Sequence, residues 1–156
     1  GNMANFTAFL AARTAKAPKS IKEDGLANTQ AEMVLYCSKA THTWIEKAAV
    51  LFGHGTKAIR WIPTDGDNKM NTELLSQAIK DDLQQGKKPF LVIGNAGDVS
   101  TGVVDNLSAI AAVLGQILES IVNGVTSSLH ITASPPKILA LSSLVSTVLL
   151  AIGSFK

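Results

Sequence analysis

The chain has 156 residues, of which 46% are hydrophobic and 17% charged, and its formal net charge is +2. This composition predicts one globular domain with a real core, and the small net charge argues against a nucleic-acid or anionic-membrane partner. Cys37 is the single cysteine, which excludes an internal disulfide and favours a reducing, cytoplasmic location. The sequence has no CxxC, no HExxH and no Cys/His cluster at metal spacing, which argues against a structural zinc site.

Taken in chain order, the hydrophobic pattern predicts a helix followed by three strand–helix repeats. The helices are predicted at residues 3–17, 42–53, 71–85 and 105–118, and the strands at 33–38, 58–63 and 89–97. Pro18 ends the first helix and Gly86 closes the third. The last strand, "PFLVIGNAG", is a continuous apolar run of the kind that a parallel sheet buries on both faces. The repeat predicts an α/β fold with a mostly parallel sheet and flanking helices.

The distribution of charge divides the chain near Val113. Residues 1–112 carry 23 of the 26 formal charges, and the remainder of the chain holds only Glu119, Lys137 and Lys156. We therefore predict a domain at 1–113 and a separate apolar tail at 114–156. Within the tail, the uncharged run Ile138–Gly153 fits a short membrane span, a buried helix or an artefactual segment. Its serines and threonine argue against a span.

Three polar segments fall at strand ends or helix starts, namely Gly1-Asn2, Ser38–His42 and Gly94–Thr101. In open α/β sheets, ligands bind beyond the carboxyl ends of the strands. We therefore expect these segments to converge on one edge of the sheet and to form a site there.

Each segment also has a plainer interpretation. His42 is either a ligand-facing histidine or a solvated residue beside a helix that Thr41 or Thr43 caps. Gly1-Asn2 could bind phosphate on a helix N-terminus, although every helix start has free N–H groups. "GNAGDVSTG" could cradle an anion, but an ordinary strand–helix loop is favoured.

Other polar residues are expected to be structural or solvated. His54 is predicted to lie in a solvated turn. The pairs Asp81-Asp82 and Lys87-Lys88 are predicted to be solvated charges near helix ends. Cys37 is predicted to be a small core residue at the end of its strand.

Four blocks of this sequence together resemble the pyridoxal-phosphate-dependent decarboxylases of the aromatic-amino-acid, tyrosine and glutamate group. The resemblance covers roughly residues 1–113, with the family's blocks in the same order and at similar spacing. The blocks are "GNMANFTAFLAAR", "YCSKATHTWIEKAA", "IRWIPTDGDNKMNTELLSQAI" and "KPFLVIGNAGDVSTGVVDNLSAIAAV".

The resemblance implies part of the large domain of a fold-type I transferase, in a parent protein that acts as a cytoplasmic homodimer on an amino-acid substrate. It implies pyridoxal 5′-phosphate as the cofactor. The histidine that matches His42 stacks over the cofactor's pyridine ring in the family and is implicated in protonating the product. The helix start that matches Gly1 and Asn2 supplies backbone contacts to the cofactor phosphate.

The sequence also departs from the family pattern. The loop that usually reads G-T-x-G-T-T has Asp98 and Val99 in place of hydroxyl residues, and no role is carried onto Val99. The family's next elements are an aspartate in H-V-D-x-A-Y, which pairs with the pyridine nitrogen, and a lysine in H-K, which holds the cofactor covalently. No aspartate follows Val113 and no lysine has that context. We therefore expect a fragment that is inactive in isolation.

Codon degeneracy offers an explanation for the tail. From Asn123 onward, codons read one base out of phase permit a block close to the family's W-x-H-V-D-A-A-Y-x-G-F-A, except that two serine codons cannot yield its aspartate. We therefore expect a frameshift, natural or from sequencing, between about Val113 and Asn123. Two alternatives remain open at this point: a non-catalytic α/β module with a membrane-associating C-terminal helix, and a decayed relative that binds the cofactor without a covalent link.

Overall fold

A computed structural model of the chain describes residues 2–18, 20–27, 29–98, 100–128 and 149–154, with side chains through residue 123. Within these residues the helices are α1 (Asn2–Lys16), α2 (Ile21–Asp24), α3 (Trp44–Leu51), α4 (Thr72–Gln84) and α5 (Leu107–Ser128). The strands are β1 (Met33–Ser38), β2 (Ile59–Ile62), β3 (Lys88–Ala96) and β4 (Leu149–Ser154). A short 3₁₀ turn, Thr56–Ala58, precedes β2.

The strands form one sheet in the order β2-β1-β3-β4, and every neighbouring pair is parallel. On β1, Cys37 lies opposite Trp61 of β2 on one side and Ile93 of β3 on the other. The predicted α/β class and the parallel sheet are therefore confirmed. Because the strands are parallel, their carboxyl ends meet at a single edge, which is where the polar segments were expected.

Strand β1 lies between two neighbours, and all six of its residues are buried. Its near-continuous apolar sequence follows from this position, because a parallel strand with helices on both faces has no solvated side. The pairing of β1 with β3 is irregular in one place. Val34 pairs with Pro89 and Leu35 with Leu91, so Phe90 is an extra residue on β3.

Two hydrophobic cores cover the two faces of the sheet. One is built between the sheet and helices α1 and α3, and its largest members include Phe9, Leu35, Ile45, Phe90 and Ile93. The other lies beneath α4 and α5 and includes Tyr36, Leu75, Ile79, Val92 and Ile110. Each helix thus buries one apolar stripe against the sheet, which is the layered packing expected of this class.

Helix α4 shows how closely the local sequence sets its bounds. Asn71 precedes the helix with extended backbone angles, and its Oδ1 accepts a hydrogen bond from the N–H of Leu74 at 3.0 Å. This side-chain cap satisfies one of the free donors of the first turn. Past the other end, Gly86 has a φ of 72°, a conformation that glycine adopts without strain.

Helix α5 is longer than predicted. It runs through Val113 without a break and ends ten residues later than expected, at Ser128 rather than 118. Ile117 and Val122 are both buried, so the apolar face of the helix continues well past the change in composition. The predicted domain boundary at 113 therefore falls inside a helix.

The end of the apolar tail is a strand, whereas a buried helix was one of the structures considered for it. Residues 138–148 lie outside the described residues, and Leu149–Gly153 belongs to β4, which pairs with Leu91–Ala96 of β3. A helical interpretation of these last residues is therefore wrong. Among the helices that the structure describes, none is long and apolar enough to cross a membrane.

Candidate functional site

The loops that follow β1 and β3 meet at the carboxyl edge of the sheet. Asn95, near the end of β3, donates from Nδ2 to the Oγ of Ser38, the last residue of β1, at 3.0 Å. Ser38 Oγ and Thr41 Oγ1 are 3.4 Å apart. All three side chains are buried. The predicted convergence of the Ser38–His42 and Gly94–Thr101 segments is thus present in the structure.

His42 lies in the short connection between β1 and α3 and is exposed. The backbone N–H of Trp44 donates to its Nδ1 at 3.2 Å. In this geometry Nδ1 is an acceptor, which corresponds to the tautomer with its proton on Nε2. The histidine that the sequence singled out is therefore an oriented imidazole at the sheet edge.

The start of α3 differs from the prediction. The helix was expected from residue 42 but begins at Trp44, because His42 itself receives the N–H of Trp44 from outside the helix. Thr43 makes no side-chain capping bond, and the Thr41 hydroxyl lies beside Ser38 instead. The prediction that Thr43 caps α3 is therefore wrong.

The first turns of α1 and α3 are neighbours through an aromatic contact. Asn2 is the first residue of α1 and is exposed, while Gly1 lies outside the described residues. The ring of Phe6, one turn into α1, has its centroid 6.5 Å from that of Trp44 at the start of α3. No acidic residue occupies the first turn of α1. Its first turn therefore carries no negative charge of its own that would repel an anion.

In the described part of the loop after β3, which excludes Val99, the polar groups bond to one another. The carboxylate of Asp98 accepts from the N–H groups of Ser100 and Thr101, at 3.2 and 2.9 Å, and from Thr101 Oγ1 at 2.8 Å. The N–H groups of Gly97 and Asp98 both donate to the carbonyl of Val103. These donors are engaged within the loop, so the favoured interpretation, an ordinary strand–helix connection, is confirmed.

Asp105 holds the site's scaffold together and was not identified from the sequence. It is 4% exposed, and its carboxylate accepts from the backbone N–H of Met70 at 2.6 Å and of Asn95 at 2.7 Å. It therefore joins the loop that follows β2 to the end of β3. The only signal in the sequence is an aspartate just before a helix, which resembles an ordinary cap.

A second buried carboxylate lies away from this edge. Asp82 accepts from the Tyr36 hydroxyl at 2.9 Å, from Arg60 at 2.8 and 3.0 Å, and from Lys87 at 3.1 Å. The prediction that Asp82 is a solvated charge is therefore wrong. Burial opposes its ionisation, but the hydrogen bonds from Arg60, Lys87 and Tyr36 prevail and hold the pKa of its carboxyl below the ordinary value.

The prediction that His54 is solvated is also wrong. Its ring stacks on Phe90, with centroids 4.9 Å apart and planes at 16°, and meets the edge of Phe9 at 5.5 Å. Burial, together with the positive charge of Arg13, lowers the pKa of His54 to about 4, although a backbone hydrogen bond at Met33 opposes the shift. His54 is therefore a half-buried, neutral ring that packs against the core residues Phe9 and Phe90.

Cys37 is fully buried at the penultimate position of β1, as predicted. Burial raises its pKa well above the ordinary value, although a hydrogen bond with Thr41 works in the opposite direction. Its thiol is therefore not a nucleophile at neutral pH. Among the described residues, no group of three or more His, Cys, Asp or Glu side chains is arranged to hold a metal ion.

Residues 1–136 match the pyridoxal-dependent decarboxylase conserved domain. The chain belongs to this family. The resemblance that the four sequence blocks suggested is therefore confirmed, and the matched region extends past residue 113.

Individual relatives agree with this assignment. The chain is 38% identical over 111 residues to an aromatic-L-amino-acid decarboxylase of Bacillus atrophaeus, covering 71% of this chain and 21% of that protein. It is 36% identical over 113 residues to the acidic amino acid decarboxylase GADL1 of Mus musculus, covering 72% of this chain and 20% of that protein. These relatives differ in the amino acid that their names specify, so identity alone does not select a substrate.

Solved structures show the same fold. The crystal structure of mouse CSAD superposes with a TM-score of 0.69 at 31% identity, over 74% of this chain and 24% of that one. The Oryza sativa TDC structure with PLP and tryptamine has a TM-score of 0.64 at 30% identity, over the same shares. The chain thus spans about a quarter of these structures and a fifth of the curated relatives.

Proposed function

We propose that the whole protein to which this chain belongs removes CO₂ from an α-amino acid with pyridoxal 5′-phosphate as its cofactor. The observation that carries the proposal is the match of residues 1–136 to the decarboxylase domain. The placement of His42 at the carboxyl edge of the sheet supports it, because ligands of open α/β sheets bind there.

Two parts of this chain suit the cofactor. The start of α1, with Asn2 and the preceding Gly1, would hold the phosphate through backbone N–H groups, and its acid-free first turn favours an anion. His42 would lie against the flat pyridine ring. When bound, the cofactor supplies an electron sink for the pair of electrons left behind as CO₂ departs.

The chemistry assigned to His42 follows from how its ring is held. The N–H of Trp44 occupies Nδ1, so the neutral imidazole presents a proton at Nε2. In our proposal the ring would pack on the cofactor face and exclude water from it. Nε2 would deliver its proton to the product carbon, and the exposed ring would regain a proton from solvent before the next turnover. General acid catalysis of this kind contributes about 10²–10⁴-fold to a rate.

The 156-residue chain alone is proposed to be inactive. The sequence contains no His-Lys dipeptide and no aspartate after Asp105. The family resemblance calls for a lysine that holds the cofactor and an aspartate that pairs with its pyridine nitrogen. We attribute the loss of the aspartate block to a frameshift late in α5. The buried face of that helix continues through Val122, which favours a position near Asn123 within the interval inferred from the codons.

The proposal includes a homodimer in the cytoplasm. Exposed apolar side chains on α1 and α3 support the dimer: Met3 is 75% exposed, Val50 62% and Leu51 65%. Val50 and Leu51 line an open hollow of about 530 Å³ together with Phe6, Glu46 and Lys47. Apolar groups of this size on a surface mark an interface. The cytoplasmic location rests on the single buried Cys37.

The test begins with the genomic DNA and transcript, read from upstream of Gly1 to several hundred bases beyond Lys156. A single-base correction is expected to restore an H-V-x-A-A-Y block and a downstream H-K, and the DNA then decides whether x is the aspartate that the two serine codons cannot yield. The corrected protein, purified with cofactor, is then assayed for CO₂ release from aromatic amino acids, histidine, glutamate and other acidic amino acids, which are the classes named among its relatives.

His42→Gln provides the matched variant, because it keeps a polar side chain of similar length without a titrating ring. It is expected to lower kcat by about 10²–10⁴-fold while the protein remains folded. If the printed frame is genuine and ends at Lys156, decarboxylation by this chain is ruled out. Cofactor absorbance that borohydride leaves unchanged would then identify a decayed relative.

A further inference from the structure

A chain of buried polar side chains crosses from β3 to the connection that carries His42. Asn95 donates to Ser38 at 3.0 Å, and the hydroxyls of Ser38 and Thr41 are 3.4 Å apart. Asn95 is 9% exposed, Thr41 6% and Ser38 0%. Buried polar groups without partners are costly, so these three are stable here because they satisfy one another.

The order of donors gives this chain a direction. The Asn95 amide can only donate from Nδ2, so Ser38 Oγ accepts that bond. Ser38 then has its own hydroxyl proton available for Thr41 Oγ1. The backbone adds a second link, because the N–H of Thr41 donates to the carbonyl of Ser38 at 2.9 Å. The turn that ends in His42 is therefore fixed by both its side chains and its main chain.

The other end of the polar chain is anchored at Asp105. The N–H of Asn95 donates to Oδ2 of Asp105 at 2.7 Å, and the N–H of Asp105 donates to the carbonyl of Asn95 at 2.9 Å. Asn95 thus has little freedom to move. A polar network that is fixed to the backbone at one end can orient a group at its other end, because each of its members is held by its neighbours.

We propose that Asn95, Ser38 and Thr41 are positioning residues that set the orientation of the His42 ring. Thr41 precedes His42 directly, and Trp44 fixes Nδ1 from the opposite side of the connection. Together they hold Nε2 in one direction at the sheet edge. The inference rests on the proposed role of His42 for its catalytic consequence, but the orientation itself is a property of this chain alone.

Proton–nitrogen correlation spectra of the imidazole test the orientation without cofactor or activity. In the 156-residue chain, His42 is expected to show the neutral ring with its proton on Nε2, and loss of the signal in His42→Gln assigns it. Thr41→Val keeps the shape of the side chain but removes the hydroxyl, and is expected to give a mixture of the two tautomers. Thr41→Ser retains the hydroxyl and is expected to preserve the original signal.

Tyr36→Phe is the control for destabilisation alone. It removes one buried hydroxyl bond, that to Asp82 at 2.9 Å, from the same strand as Ser38. It is expected to lower stability and to leave the His42 signal unchanged. An unchanged signal in both Thr41→Val and Asn95→Leu would overturn the proposal, and so would an equal change in Tyr36→Phe.

A kinetic cycle in the corrected full-length protein separates this proposal from the proposed function. Thr41→Val is expected to lower kcat by about tenfold to a hundredfold through misplacement of the ring, with little change in KM, and to have no further effect in the His42→Gln background. An equal loss in both backgrounds would refute positioning through His42. Failure of the role proposed for His42 would instead appear as full activity in His42→Gln, and failure of the proposed function as no CO₂ release from any amino acid tested.

Discussion

Asn95 and Asp105 are joined in both directions, each donating its backbone N–H to an oxygen of the other, at 2.7 Å and 2.9 Å. The nine residues between them form the loop that leaves β3 and returns to the sheet edge before α5. This reciprocal pair closes that loop. The second carboxylate oxygen of Asp105 binds Met70, so one side chain connects three parts of the site.

Asp105→Ala should therefore destabilise the fold more than its size suggests. It leaves the buried N–H groups of Met70 and Asn95 without acceptors, and each such loss costs about 1–3 kcal/mol. We expect the free energy of unfolding in urea to fall by roughly 2–5 kcal/mol. Asp105→Asn, which retains one acceptor oxygen, should fall between this variant and the original chain. Asp67→Ala, at an exposed acid, serves as the control and should change stability by less than about 0.5 kcal/mol.

Asp82 should make the fold sensitive to strong acid. Its folded pKa is depressed, so its contribution to stability is complete above the unfolded value, 3.8, and is lost as the pH falls through the folded value. Asp82→Asn should lower the free energy of unfolding by roughly 2–3 kcal/mol at pH 6. The free energy of unfolding of Asp82→Asn should also vary less with pH below pH 4. Urea unfolding at several pH values measures both effects.

The neighbouring Asp81 provides the control for this series. It is exposed, and its carboxylate accepts a hydrogen bond from Gln77 at 2.7 Å. Asp81→Asn should leave the acid limb of the stability curve as it is in the original chain. A curve for Asp82→Asn that is as steep below pH 4 as the original would contradict the assigned role of Asp82.

His54 should contribute a separate, milder acid sensitivity. Its pKa falls from 6.5 to about 4 on folding, so the unfolded chain binds a proton across that window and the folded chain does not. Stability should therefore be complete above pH 6.5 and should decline as the pH falls towards 4. His54→Phe keeps the stacking on Phe90 and removes the titration.

Comparing His54→Phe with the original protein isolates the effect of His54, because the two share every other titratable group. The difference in the free energy of unfolding between His54→Phe and the original chain should be constant above pH 7. It should then shift in favour of His54→Phe between pH 6.5 and 4. A difference that is constant over the whole range would show that His54 is not held neutral by the core.

Gly94 should tolerate no side chain while Leu107 retains its full size. A Cβ built on Gly94 would lie 2.5 Å from Cδ2 of Leu107, where α5 packs on β3. Gly94→Ala should cost about 1–3 kcal/mol, as overpacking in a core commonly does. In a Leu107→Ala background the same change should cost much less. Additive effects in the double variant would mean that another contact limits position 94.

The two inner strands could be predicted from the sequence because each is a continuous apolar run that the sheet buries. "MVLYCS" and "PFLVIGNAG" are continuous apolar runs, and they became the two inner strands β1 and β3 within a residue of their predicted bounds. The start of α3 could not be read in this way. A cap supplied by the imidazole of His42 depends on a contact that no propensity scale represents.

The same limit applies to the polar groups. His42 was singled out because it lies between a strand and a helix, and that position survives in the structure. Asp82, Asp105 and His54 were misjudged or missed because burial of a polar group depends on partners far along the chain. Tyr36 is 46 residues from Asp82, and Met70 is 35 residues from Asp105.

The position of β1 between β2 and β3 also has a consequence for how the chain emerges from the ribosome. β1 ends at Ser38, and its second neighbour is complete only at Ala96. At about 5–20 residues per second, that interval lasts roughly 3–12 s. For this time a fully apolar strand has one unpaired edge, which favours pairing with another nascent chain. Productive synthesis of this protein should therefore depend on chaperones more than its modest size suggests.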